Sequence, residues 1–251
     1  MMIHGQGYPG NPDGDPVAAW LATLDRSVSP FAAEGGRTIK AHDKGDWLFR
    51  AGDPASHLFV VMDGAVVLRK VNISGADLAV EFVTRGGALG YRAYVGDGIH
   101  ALSAQCSTSC VVCRIPVETM AQAGDRLLEG RFIDHMAAEL TATRTRMLQV
   151  ATLKVRDRLL ILLARISRDF TTMNDHQTLV LSPPLSRIDM AALAGMTPES
   201  LSRCIRGIEE EGLAHFTRRH VVIPSVSAFR AELSRIGIEE GVCAVELALA
   251  G

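Results

Sequence analysis

Apolar residues follow one period in the first half of the chain and another in the second. Between Thr38 and Pro116 they form short β-type runs separated by glycine. These are Trp47-Leu48-Phe49, Leu58-Phe59-Val60-Val61-Met62, Ala65-Val66-Val67-Leu68, Val80-Glu81-Phe82-Val83 and Cys110-Val111-Val112-Cys113. Gly45, Gly52, Gly64, Gly75, Gly86, Gly87 and Gly90 punctuate them, and short strands at regular spacing with glycine turns predict a small antiparallel barrel or roll. After Pro116 the period lengthens. Ile133, Met136, Leu140, Thr143, Met147 and Val150 recur at alternating spacings of three and four, the heptad seam of a long helix facing a partner helix. A second helix is predicted over Val155 to Phe170, with Leu159, Leu160, Leu163 and Ile166 buried. A polar loop at Thr171 to Gln177 and a β run at Thr178 to Leu181 follow, and Pro183-Pro184 closes that segment.

These patterns imply an order of parts. Residues 1–30 form a flexible arm with a short amphipathic helix (Val17, Trp20, Leu21, Leu24), and 31–124 form the roll. Residues 125–153 form the dimerisation helix, 154–226 a winged helix-turn-helix, and 227–251 a tail in which Phe229, Leu233 and Ile236 suit a helix packed on the preceding domain. The fold class expected is α+β.

Residues 187–206 read RIDMAALAGMTPESLSRCIR. A helix-turn-helix needs a small residue where its helices cross, a residue tolerant of positive φ in the turn, and an apolar anchor on the second helix. Ala191, Gly195 and Leu201 meet these needs at the required spacing. Thr197 suits the N-cap of the second helix and Pro198 its first position, with Glu199 in the first turn. Ile188, Leu193 and Ile205 are expected to complete the small core. The outward face then carries Glu199, Ser200, Ser202, Arg203 and Arg206. Arginine forks onto guanine and glutamate accepts from cytosine, so this is chemistry that reads base edges. Downstream, two β runs flank Arg218-Arg219-His220, a basic tip suited to phosphate.

Composition narrows the class. The 251 residues are 47% hydrophobic and 22% charged with a net charge of −2, a globular balance with no chain-wide basic field. Charge is uneven, however: residues 141–170 hold seven Lys/Arg against two acids. No apolar run approaches a bilayer span, and the glycine- and proline-rich start has neither the basic nor the apolar region of a secretory signal. Five cysteines without a disulfide framework suit a reduced, cytoplasmic setting with no membrane partner. Cys106, Cys110 and Cys113 form C-x3-C-x2-C, but Cys110 and Cys113 would point to opposite faces of a strand and are read as small buried residues. No P-loop, HExxH or G-x-S-x-G is present, which argues against an enzyme.

A glycine-punctuated roll, a long dimer helix and a winged helix-turn-helix together resemble the CRP/FNR family of bacterial transcription regulators over about residues 35–226. Within the roll, Gly45-Asp46, Leu48-Phe49, Gly52-Asp53-Pro54-Ala55, Leu58 and Gly64-Ala65-Val66 are similar to the family's cyclic-nucleotide-binding signature. Glu199-Ser200-Leu201-Ser202-Arg203 resembles the E-x-x-S-R pattern of the FNR branch. That resemblance implies a homodimer on an inverted repeat of TTGAT-like half-sites. Glu199 and Arg203 would read the G·C pair and Ser202 the neighbouring thymine, with Arg206 on phosphate. RNA polymerase would be a partner if the protein activates; the same parts also serve repression.

The signal end departs from the family's cyclic-AMP pattern. Where cyclic-AMP binders have Gly-Glu and Arg-Ser, this chain has Gly90-Tyr91-Arg92-Ala93 and His100-Ala101. Tyr91, Arg92 and His100 remain the candidate effector residues, with Arg92 a cation for some other anion. Cys113 resembles one cluster ligand of the oxygen sensor FNR, but no cysteine precedes Cys106, which argues against an FNR-type iron–sulfur cluster. Haem is a further reading, with His100 and His135 as ligands, and ligand-free action is another. The alternative overall is a nucleotide- or haem-binding signalling module whose helix-turn-helix contacts protein.

Overall fold

The computed structural model describes residues 38–93, 97–118, 126–173 and 178–237. The segment Val17 to Leu24, read as a short helix, and the tail beyond residue 237 lie outside these.

Eight strands build the roll: β1 (Thr38–His42), β2 (Trp47–Phe49), β3 (His57–Asp63), β4 (Ala65–Val71), β5 (Asp77–Thr84), β6 (Ala88–Leu89), β7 (Ser103–Cys106) and β8 (Cys110–Pro116). They form two four-stranded sheets, ordered β1-β8-β3-β6 and β2-β7-β4-β5, with antiparallel neighbours throughout. Phe59 and Val61 from β3, Val66 and Leu68 from β4, Cys106, and Cys110 and Val112 from β8 meet between the sheets in one core.

The apolar run in β4 does not alternate with polar residues, because both faces of the strand are covered. Val66 and Leu68 enter the core of the roll, while Ala65 and Val67 join Ala79 and Phe82 in a second core shared with the C-terminal domain. A strand buried on both sides reads as a continuous apolar run.

The helix α1 (Arg126–Thr152) leads into α2 (Val155–Ser167). Next come β9 (Thr171–Met173), β10 (Leu179–Leu181), α3 (Arg187–Leu193), α4 (Pro198–Glu210), β11 (His215–Phe216), β12 (Val221–Ile223) and α5 (Val226–Arg235). The four short strands form one sheet, ordered β11-β12-β10-β9. Thr171–Met173, expected within a loop, is its edge strand, paired with β10. Edge position lets a polar segment be a strand, since only one side needs a partner. Leu159, Leu160, Leu163 and Ile166 of α2 pack in the C-terminal core with Ala191, Leu201, Ile205 and Ile208. Phe229 and Leu233 of α5 enter the same core, so the packed unit runs past residue 226.

The roll and the C-terminal domain dock on each other. Phe82 faces Phe170 with ring centroids 6.1 Å apart, and Thr84 Oγ1 donates to Asp169 Oδ2 at 2.7 Å. Arg69 on β4 donates to Asp77 at 2.8 Å and to Asp189 on α3 at 2.9 Å. The Arg69 and Asp189 side chains are 14% and 13% exposed, so the pair is largely shielded from water.

Candidate nucleic-acid interface

The reading head is built from the inside outward. Ala191, at 1% exposed, lets α3 and α4 cross closely. Gly195 adopts φ +63°, and Arg158 of α2 donates to its carbonyl at 2.9 Å. Thr197 Oγ1 accepts from the Ser200 N–H at 3.2 Å, and Pro198 opens the helix. Ser186 likewise caps α3 by accepting from the Asp189 N–H. Leu201, Ile205 and Ile208 bury the inner face of α4, which fixes the direction of its outer face. Ile188 does not belong to that core: it is 59% exposed on α3. Met190 and Ala191 are the residues of α3 that are buried.

Glu199, Ser202, Arg203 and Arg206 all point to solvent, and Ser200 is half-buried. Glu199 is held below the usual carboxylate range by its own backbone N–H and then by the Thr197 hydroxyl, with Arg203 adding a through-space contribution. Arg203 Nη2 reaches Ser200 Oγ at 3.4 Å, a long contact that leaves most of the guanidinium's donors free to engage a ligand. The Ser202 hydroxyl donates to the Pro198 carbonyl at 3.0 Å. Its oxygen lone pairs still face outward as acceptors.

The wing is a hairpin of β11 and β12. Its turn is held by Thr217, whose N–H and hydroxyl both donate to the His220 carbonyl and whose Oγ1 accepts from the Arg219 and His220 N–H groups. Arg218 and Arg219 are exposed at the tip.

The basic excess of residues 141–170 is largely engaged inside the molecule. Arg156 donates to Glu211 and Glu232, and Asp157, 7% exposed, accepts from Arg156 and Arg235. This network ties α2 to the C-terminal end of α4 and to α5. Arg146 on α1 pairs with Glu81 on β5 at 3.3 Å. Burial raises the Glu81 pKa, the neighbouring Glu139 raises it further, and Arg146 and Arg165 act the other way. No signal local to the sequence pairs Arg156 with Glu211 or Arg146 with Glu81, which are 55 and 65 positions apart.

Along α1, Leu140, Met147 and Val150 of the expected seam are exposed at 50%, 68% and 50%, Thr143 is exposed and Met136 half-buried. The side chains of Ile133 and His135 lie outside the described residues. Leu148, 64% exposed, belongs to the same apolar strip although the heptad reading omits it. Val150 also serves its own chain: a Cβ on Gly195 would come within 2.9 Å of a Val150 methyl. The Thr143 hydroxyl accepts from Arg146.

The candidate effector residues are tied into the roll. The Tyr91 hydroxyl donates to the Ala88 carbonyl at 2.6 Å, and burial raises its pKa. Arg92 donates to Asp97 at 2.7 Å and to the Ile99 carbonyl at 2.9 Å, so its charge is matched within its own loop. His100 is 5% exposed and stacks on Phe49 at 3.7 Å between centroids. The stacking covers one face of the ring, and Phe59 lies tilted to it with centroids 6.4 Å apart. Cys106, Cys110 and Cys113 are all buried, and the register places Cys113 on the opposite face of β8 from Cys110 and Val112. Among the described residues no three His, Cys, Asp or Glu side chains converge as a metal site, and no helix is long and apolar enough to cross a membrane.

Comparison with known proteins bears on this arrangement directly. Residues 39–126 match the family profile of the cyclic nucleotide-binding domain, and residues 157–232 match that of the Crp-like helix-turn-helix domain. The chain is 24% identical over 199 residues to the fumarate and nitrate reduction regulatory protein of Salmonella typhi, covering 76% of this chain and 77% of that protein. Among solved structures, FixK2 from Bradyrhizobium japonicum superposes with a TM-score of 0.67 at 20% identity, over 78% of this chain and 96% of that one. The c-di-GMP responsive global regulator CLP of Xanthomonas campestris gives 0.63 at 21% identity, over 82% of this chain and all of that one. Two adjoining domain matches in this order, on a roll joined by a long helix to a winged helix-turn-helix, show that the chain belongs to the CRP/FNR family of transcription regulators and is not an enzyme.

Proposed function

We propose that the protein binds DNA as a homodimer and reads an inverted repeat of TTGAT-like half-sites. The observation that carries this reading is the outward face of α4. There Glu199, Ser202, Arg203 and Arg206 stand exposed while Leu201, Ile205 and Ile208 anchor the opposite side. Arg203 forks onto guanine O6 and N7, Glu199 accepts from the paired cytosine, and Ser202 meets the adjacent thymine. Thr197 and Ser200 hold the helix start against the groove edge. Arg206, Arg218 and Arg219 contact phosphate, which sets register and adds salt-sensitive affinity. Two such heads on a dimer enter successive major grooves roughly 34 Å apart.

The dimer forms along α1, where Leu140, Met147 and Leu148 leave an apolar strip in solvent. A signal received by the roll shifts the packing of the two long helices and so the separation of the heads. RNA polymerase is the further partner when the bound dimer activates.

The test compares two DNAs. Arg203→Ala should weaken binding to the palindrome by about 1–3 kcal/mol per half-site while costing little on random duplex at low salt. Fluorescence anisotropy titrations on both duplexes measure this. Equal losses on the two would assign Arg203 to phosphate and remove it from base reading.

A further inference from the structure

We propose that Arg69 is a positioning residue for DNA reading: from the roll it fixes the angle of its protomer's reading head, and thereby the half-site spacing that a dimer accepts. This role rests on base reading by α4 and on a dimer along α1.

The β4–β5 hairpin is where the parts of the protomer meet. Glu81 of β5 pairs with Arg146 of α1 at 3.3 Å. On the same strand Phe82 faces Phe170 just beyond α2, and the Thr84 hydroxyl donates to Asp169. Arg69 of β4 reaches the head itself. Its Nε donates to Asp77 on the same hairpin at 2.8 Å, and its Nη1 donates to Asp189 on α3 at 2.9 Å. The first bond aims the guanidinium and the second carries it across to the head. Both side chains of the Arg69–Asp189 pair are largely shielded from water, and a charge-assisted hydrogen bond is strong and directional. The contacts around it, from Ala65, Val67, Ala79 and Phe82 into the C-terminal core, are apolar. Apolar burial has no direction of its own. The shared core therefore joins the two domains, and the ion pair sets their register.

Asp189 passes that register on to α4. Its Oδ2 accepts from the Ser186 hydroxyl and its N–H donates to Ser186 Oγ, so the carboxylate held by Arg69 also closes the start of α3. Pro183-Pro184 leads into that start, and the fixed φ of proline stiffens the approach. Met190 and Ala191 of α3 share a core with Leu201 and Ile205 of α4, so the two helices move together. Leu153 and Lys154 alone separate α1 from α2. With α1 tied to the hairpin through Arg146 and α3 tied to it through Arg69, the hairpin sets the angle between dimer helix and head. Each base pair added between half-sites moves the far one by about 3.4 Å and turns it by about 34°. A head held at one angle accepts one spacing, and a released head accepts several.

The test measures affinity for TTGAT palindromes whose spacer changes one base pair at a time. A further palindrome has the G·C pair of each half-site replaced. The wild type should prefer one spacer. Arg69→Met should shrink that preference roughly three- to tenfold, the size of coupling that contacting residues show, and should leave the preference for the intact half-site unchanged. Asp189→Asn keeps an acceptor for Ser186 and should flatten the spacer profile in the same way, which preserves the test if Arg69→Met does not fold. A wild-type spacer profile in the folded variants, or a uniform weakening on every duplex, would overturn the role of Arg69 and leave reading by α4 standing. A wild type that fails to distinguish the intact palindrome from the replaced one would overturn base reading itself, and the role of Arg69 with it.

Discussion

Gly195 holds the turn between α3 and α4 in the left-handed region, and a Cβ there would meet Arg158 Nη1 and a Val150 methyl at 2.9 Å each. Gly195→Ala should therefore lower stability by about 1–2 kcal/mol from the backbone conformation alone. Urea unfolding reads this, and an unchanged midpoint would mean the turn relaxes to another conformation. His100 carries a pH signature. Burial holds its pKa below the ordinary 6.5, with Asp53 opposing weakly. The unfolded chain takes up that proton first, so the stability due to His100 is complete above about pH 6.5 and is lost as pH falls through the lower native value. His100→Phe keeps a ring against Phe49 but cannot titrate. Between about pH 7.5 and about pH 5 the wild type should lose more stability than this variant. His42 and His57 are shifted the same way by burial, so part of the slope remains in both proteins. The turn glycine, the helix caps and the outward polar residues of α4 were legible because they depend on neighbours within a few positions. The role of His100 was not, since a lone histidine in sequence does not reveal the ring stacked on it.

At the level of elements, α1 shows how a repeat can be read and still be incomplete. The three-four spacing marks the helix, and Leu140 and Met147 stand in solvent as a seam requires. Leu148 extends the strip, and Val150 turns partly toward Gly195 of its own chain. A straight helix drifts by about 20° per heptad, so its exposed strip moves off a strict seven-residue repeat. Met147→Asp places a charge on that strip and should give monomers in sedimentation velocity, with α-helical content retained by circular dichroism. A dimer that survives would move the interface elsewhere. The strand β4 shows the opposite case. Its unbroken apolar run gave no face assignment, because each face packs on a different core.

Across the whole molecule, the roll and the reading head are joined by contacts between residues far apart in sequence. Arg69 and Asp189 are 120 positions apart and meet at 2.9 Å. A double-mutant cycle of Arg69→Met and Asp189→Asn, followed by chemical denaturation, should return a coupling of roughly 0.5–3 kcal/mol. Additive losses would show that the pair does not hold the domains together. The Arg156 network is of the same kind, linking α2 to Glu211 at the end of α4 and Glu232 on α5. The sequence by itself determined the periods of strand and helix, the bihelical corner with its caps, and the residues presented on α4. These follow from local backbone preference and from which side of an element is apolar. Only the tertiary structure decided which charges were left for a partner and which face of β4 met which core. Those outcomes depend on distances between segments that no local pattern encodes, because Coulomb and packing energies are set by spatial separation and burial.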